Sequence, residues 1–127
     1  MANTILIIEN DELVSAAMSQ RLASFGFDVF TAANVGEADS IASDNHPDVV
    51  LIDTAFANDG LDGSPLGKSS WASEVPIVLV AESERQVAVN ETVNACGLLA
   101  MPFSGNDLLD SVSSALWHDA EAANEPW

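Results

Sequence analysis

Three polar side chains, Glu9, Asn10 and Asp11, follow the apolar run Thr4–Ile8 (TILII), and another carboxylate, Asp53, ends a second such run over 48–52 (DVVLI). If the two runs are neighbouring strands, their ends meet and form an all-oxygen cluster. Such oxygens suit a hard cation such as Mg2+, which takes one or two carboxylates together with water and phosphate. An aspartate held beside that cation can act as a nucleophile toward a phosphoryl group and carry it as an aspartyl phosphate. The competing reading is local, because Asn and Asp are both good helix N-caps and a helical pattern starts at once.

Short apolar runs alternate with helical patterns along the chain. Thr4–Ile8 is the first predicted strand, and residues 11–25 form a helix in which Val14, Met18, Leu22 and Phe25 make one apolar stripe. Gly26 stops it, as glycine does just past a helix end. A second strand is expected at Asp28–Ala32. Asn34 and Glu37 have capping-box spacing for a helix that buries Ala38, Ile41 and Ala42, and His46-Pro47 breaks that helix. The third strand, 48–52, is apolar almost throughout, as strands covered on both faces are. Residues 54–74 are rich in glycine and weak in periodicity, so any helix there, near 66–72, is short or irregular. A fourth strand is expected at 76–80 (PIVLV). Ser83 and Gln86 then open a helix to about residue 95, and a short fifth strand covers 98–100. Ser104 and Asp107 cap a last helix carrying Leu108, Leu109, Val112 and Leu116, and residues 119–127 read as a frayed tail.

This order predicts a parallel sheet with helices on both faces. Right-handed crossovers bring the strand C-termini to one edge, where ligands of such folds bind. That edge collects Glu9-Asn10-Asp11, Asp53, Ala81-Glu82-Ser83 and Met101-Pro102.

The composition excludes several functions. The chain holds 127 residues, 48% of them hydrophobic, which suffices for the core of one domain. No run approaches the ~18 apolar residues of a membrane span, and the N-terminus lacks a signal-peptide pattern. A single cysteine, Cys96, excludes an internal disulfide framework. The expected location is the cytoplasm. Twenty acids against three Lys plus Arg give a net charge of -17, and Arg21, Lys68 and Arg85 build no basic stripe for nucleic acid.

The stretches ILIIENDELV (5–14), PDVVLID (47–53), PIVLVA (76–81) and MPF (101–103) together resemble the receiver domain of bacterial response regulators, over essentially residues 3–118. The resemblance implies a flavodoxin-like, doubly wound α/β fold with strand order 2-1-3-4-5, a domain at 1–118 and a tail at 119–127. It makes Asp53 the phosphoacceptor of a two-component phosphorelay. Glu9 matches the first member of the family's acidic pair. Asn10 falls on the second, normally an aspartate that ligates Mg2+, and Ala81 on a Thr or Ser whose hydroxyl engages the phosphoryl group. Met101 falls on the phosphate-pairing lysine and precedes the cis-proline candidate Pro102. Leu98 falls on the aromatic that changes rotamer on activation.

The departures weaken the site. Glu9, Asn10 and Asp53 would hold Mg2+ weakly or not at all, since Asn10 offers an amide oxygen without charge. Met101 and Ala81 supply neither the cation nor the hydroxyl that assists phosphoryl transfer. Ser83 is a candidate hydroxyl substitute, with its helix-cap role as the plainer reading.

The implied partners are a sensor histidine kinase or phosphotransfer protein, and an output protein or second copy contacting residues 83–118. A phosphorylation-independent interaction module is the rival reading. A flavodoxin-type cofactor binder would need a Ser/Thr/Gly-rich loop after the first strand, and ENDE (9–12) is not one. His46 and His118 have no partners at ligand spacing and are expected at the surface, and Cys96 reads as a small buried hydrophobe. Met101 and Trp117 are expected to pack, and Trp127 to be disordered.

Overall fold

The computed structural model describes residues 3–53, 75–81, 95–101 and 103–123. Five strands, β1 (Thr4–Ile8), β2 (Asp28–Ala32), β3 (Val49–Asp53), β4 (Ile77–Ala81) and β5 (Ala95–Ala100), form one sheet in the order β2-β1-β3-β4-β5. All neighbouring pairs are parallel. The described helices are α1 (Glu12–Ser24), α2 (Val35–Asn45) and α3 (Gly105–Ala123). The expected helices near 66–72 and 83–95 lie outside the described residues, as do Ser83 and Pro102.

The period-2 alternation of the strands sorts the core into two layers. Ile5, Ile7, Val49, Leu51, Val78 and Val80 face Met18 and Leu22 of α1 and Leu108, Val112 and Ala115 of α3. Leu6, Ile8, Val50, Ile52 and Leu79 face the other way, toward Ala38 and Ala42 of α2. Ile5–Ile8 of β1 and Val49–Ile52 of β3 are apolar without a break because both faces of these strands are covered.

Each described helix start is fixed by its own side chains. Asp11 caps α1, accepting from the backbone N–H groups of Leu13 (2.9 Å) and Val14 (3.3 Å). Asn34 accepts from Glu37 N–H at 2.9 Å. Ser104 and Asp107 form the reciprocal capping box, 3.0 Å in each direction. Gly26 has φ +97°, where a side chain would be strained, and turns the chain from α1 into β2.

Several expectations need correction. Ala95 does not end a helix but opens β5, which is longer than 98–100. The register steps from Ile77↔Ala95 to Val78↔Gly97, so Cys96 is skipped, and this irregularity hides the strand's period. β3 and β4 each begin one residue later than expected. α3 continues to Ala123, through five residues expected to fray, because DAEAA is rich in strong helix formers. Phe25 leaves the α1 stripe. It is the C-cap, 38% exposed, with the Arg21 guanidinium 5.5 Å from its ring centroid, and Phe27 packs on the core instead. Trp117, expected to pack, is 68% exposed, one position off the Leu108–Val112–Ala115 stripe.

Candidate functional site

The C-terminal edge of the sheet positions the site. Ile8 pairs with Ile52 across β1 and β3, so the next residues, Glu9 and Asp53, emerge side by side. Asp53 pairs with Val80, and Ala81 pairs with Ala100, which places Met101 just beyond. Two backbone bonds tie these exits to their neighbours, Glu9 N–H to Ala32 O at 3.0 Å and Met101 N–H to Ala81 O at 2.8 Å.

Glu9 is the chemically unusual group. It is 5% exposed, and its Oε2 atom is buried with no hydrogen-bond partner. Burial is the main cause that raises its pKa to about 8, helped by a hydrogen bond to Asp53 and by the negative charges of Asp53 and Asp11. The Glu9 carboxyl therefore keeps its proton at neutral pH. An unpaired buried carboxylate oxygen beside a second carboxylate fits a hard cation, whose charge would replace that proton.

The other expected site residues separate. Asn10 is exposed, and Asp11 is committed to capping α1. Among the described residues no group of three or more His, Cys, Asp or Glu side chains converges on a metal site. Ala81 is fully buried and presents only a methyl group. Met101 is half-buried and packs against the core cluster under α1 and α3. Leu98 pairs through its backbone with Leu79.

The model of the response regulator receiver domain matches residues 5–113. The chain belongs to that family. The receiver is 29% identical over 117 residues to the probable transcriptional regulator ycf27 of Porphyridium aerugineum, covering 88% of this chain and 47% of that protein. It is 27% identical over 123 residues to the probable transcriptional regulator ycf29 of Pyropia yezoensis, covering 94% of this chain and 55% of that protein. It thus spans about half the length of these curated relatives. Among solved structures it is similar to a response regulator receiver modulated diguanylate cyclase from Pelobacter carbinolicus, with 26% identity, TM-score 0.78 and coverage of 97% and 99% of the two chains. Receivers are signalling domains of two-component systems, generally not enzymes, and they interact with histidine kinases and output domains. They generally bind Mg2+ at their acidic site.

Two features of this receiver escape a reading of strand ends. An apolar groove of about 550 Å3 runs between α1 and the start of α3, with Met18, Met101, Phe103 and Leu108 among its lining. Leu13 is 83% exposed at its rim. The exposed leucine just inside the α1 cap, beside the buried stripe, was the available signal. Arg21 also lines the groove, and its guanidinium crosses Gly105 where a Cβ would stand. No helix among the described residues is long and apolar enough to cross a membrane.

Proposed function

We propose that this receiver accepts a phosphoryl group on Asp53 from a histidine kinase or phosphotransfer protein and signals through protein contacts. The observation that carries this reading is the buried, incompletely partnered Glu9 carboxylate beside Asp53. A site kept only for packing would gain nothing from a carboxylate in that place, since burying one costs several kcal/mol unless it is compensated. Glu9 and Asp53, with the amide oxygen of Asn10, would hold Mg2+. When bound, that ion neutralises the charge that gathers on the transferred group. Asp53 then attacks phosphorus, an O–P bond forms, and the donor's P–N bond breaks, with the imidazole leaving as the neutral base after protonation. Glu9 must give up its proton before the cation binds, so acceptance is favoured toward alkaline pH.

The buried methyl of Ala81 and the packing of Met101 favour a second reading, a receiver that works by contact alone. With alanine at 81 and methionine at 101 in place of the family's hydroxyl and lysine, an acyl phosphate would have few partners at those positions to pull the loops toward it. In either case the contact surfaces are β5 and α3, the described part of residues 83–118, and the groove beside α1.

The test is to incubate the protein with Mg2+ and acetyl phosphate or beryllofluoride, and to record intact mass and amide shifts, with Asp53→Asn as the control. A mass gain of one phosphoryl group, or amide shifts around Asp53 in the wild type alone, supports acceptance. No response at millimolar donor at pH 8.5 leaves the contact-only reading.

A further inference from the structure

The receiver's charge has no internal balance. Among the described residues Arg21 is the only Lys or Arg, and it is engaged with the Phe25 ring. Exposed acids stand on every described helix and on edge strand β2, among them Glu12, Asp28, Glu37, Asp44, Asp107 and Asp110. α2 and α3 have no basic residue in their last turns, and α2 carries Asp44 there. A carboxylate at a helix C-terminus opposes the helix dipole, where a cation is normally favoured. A net charge of -17 on 7265 Å2 of surface leaves roughly 430 Å2 per net charge, a mean spacing of roughly 20 Å. The Debye length is about 30 Å at 0.01 M salt, about 10 Å at 0.1 M and about 3 Å at 1 M. Repulsion across the whole surface therefore acts in dilute salt and is shut off near 1 M. It scales with the square of net charge and is larger in the folded chain than in the expanded one.

We propose that this domain is built for a solvent of high ionic strength, with diffuse solvent cations doing the screening that basic side chains do in a charge-balanced domain. The fold is then salt-dependent in its own right, whatever becomes of Asp53. The inference is independent of the phosphoacceptor reading, and its readout is folding alone.

The experiment follows thermal unfolding of the full chain by circular dichroism at pH 7.5 with EDTA, from 0.01 to 1 M KCl, with choline chloride in parallel. The expected result is a rise in Tm of at least ~10 °C between 0.1 and 1 M, alike for both salts and flattening near 1 M. A chain already unfolded at 0.01 M that folds on adding salt gives the same answer. A triple variant, Asp28→Lys, Asp44→Lys and Asp110→Lys, raises the net charge of -17 by two per change, to -11. Its salt response should fall to about half or less. A Tm shift under ~3 °C overturns the proposal. So does an equal slope in the variant, which marks general salting-out, or a rise in KCl absent from choline chloride, which marks a specific cation site.

Discussion

Replacing Glu9 with glutamine removes one titration and keeps the side chain's shape. In the wild type, burial and Asp53 raise Glu9 from its ordinary 4.5 to about 8. Each pKa unit corresponds to about 1.36 kcal/mol, so ionising Glu9 in the fold costs up to ~5 kcal/mol more than in the unfolded chain. The sign follows from proton counts. Between pH 4.5 and 8 the folded chain holds a proton that the unfolded chain has lost. The stability tied to that proton is complete below the unfolded value, declines as pH rises through this window, and is gone above it. The side-chain amide introduced by Glu9→Gln donates to Asp53 without this dependence, so E9Q should match the wild type near pH 4.5 and exceed it at pH 8.5 by about 3–5 kcal/mol. With a urea slope of about 1–3 kcal/mol/M, the midpoints should separate by about 2 M. Urea unfolding of both chains from pH 4.5 to 9, in EDTA and 1 M KCl, measures this, and the difference between them cancels the histidines and the other acids. A difference that stays constant across pH, or an E9Q less stable at pH 8.5, would refute the reasoning. Adding Mg2+ at pH 8.5 should close the gap, because a cation favours the ionised Glu9.

Three further outcomes are expected. Met101→Lys combined with Ala81→Thr should speed phosphoryl uptake from acetyl phosphate at least about tenfold, read by intact mass over time, while overpacking at Ala81 costs about 1–3 kcal/mol of stability. Gly105→Ala should be close to neutral in the wild type, because the gain from replacing a helical glycine is offset by displacing Arg21. In an Arg21→Ala background it should stabilise by about 0.5–1 kcal/mol, and a double-mutant cycle by denaturation gives the coupling. Ser104→Ala removes one half of the α3 capping box and should cost about 1 kcal/mol, lowering Tm by about 3–5 °C in a calorimetric scan.

The strands and helix starts were legible because local chemistry determines them. TILII and DVVLI are buried on both faces, and Asp11, Asn34 and Ser104 each supply the acceptor that their first helical turn needs. Crossover handedness put the strand C-termini at one edge, and the strand order that sets Glu9 beside Asp53 came with the family resemblance. What stayed hidden depended on register and exposure. The skipped Cys96 broke the alternation of β5, and α3 outran its stripe on alanine-rich helix propensity alone. Phe25 and Trp117 have the composition of core residues but stand one position away from it. The raised pKa of Glu9 was invisible in sequence, because it arises from burial and from a neighbour, Asp53, that is distant along the chain.

The interior position of β1, between β2 and β3, has a consequence for how the chain reaches its fold. Thr4 and Asp48 clasp the bases of β1 and β3, with Thr4 N–H donating to Asp48 Oδ2 at 2.7 Å and Asp48 N–H to Thr4 O at 2.7 Å. This interior strand is thus synthesised well before β3, the partner that closes its second edge. At about 5–20 residues per second, Ile5–Ile8 wait roughly 2–9 s with a sticky edge open to any passing strand. During translation, β1 is the segment that a ribosome-bound chaperone would need to guard.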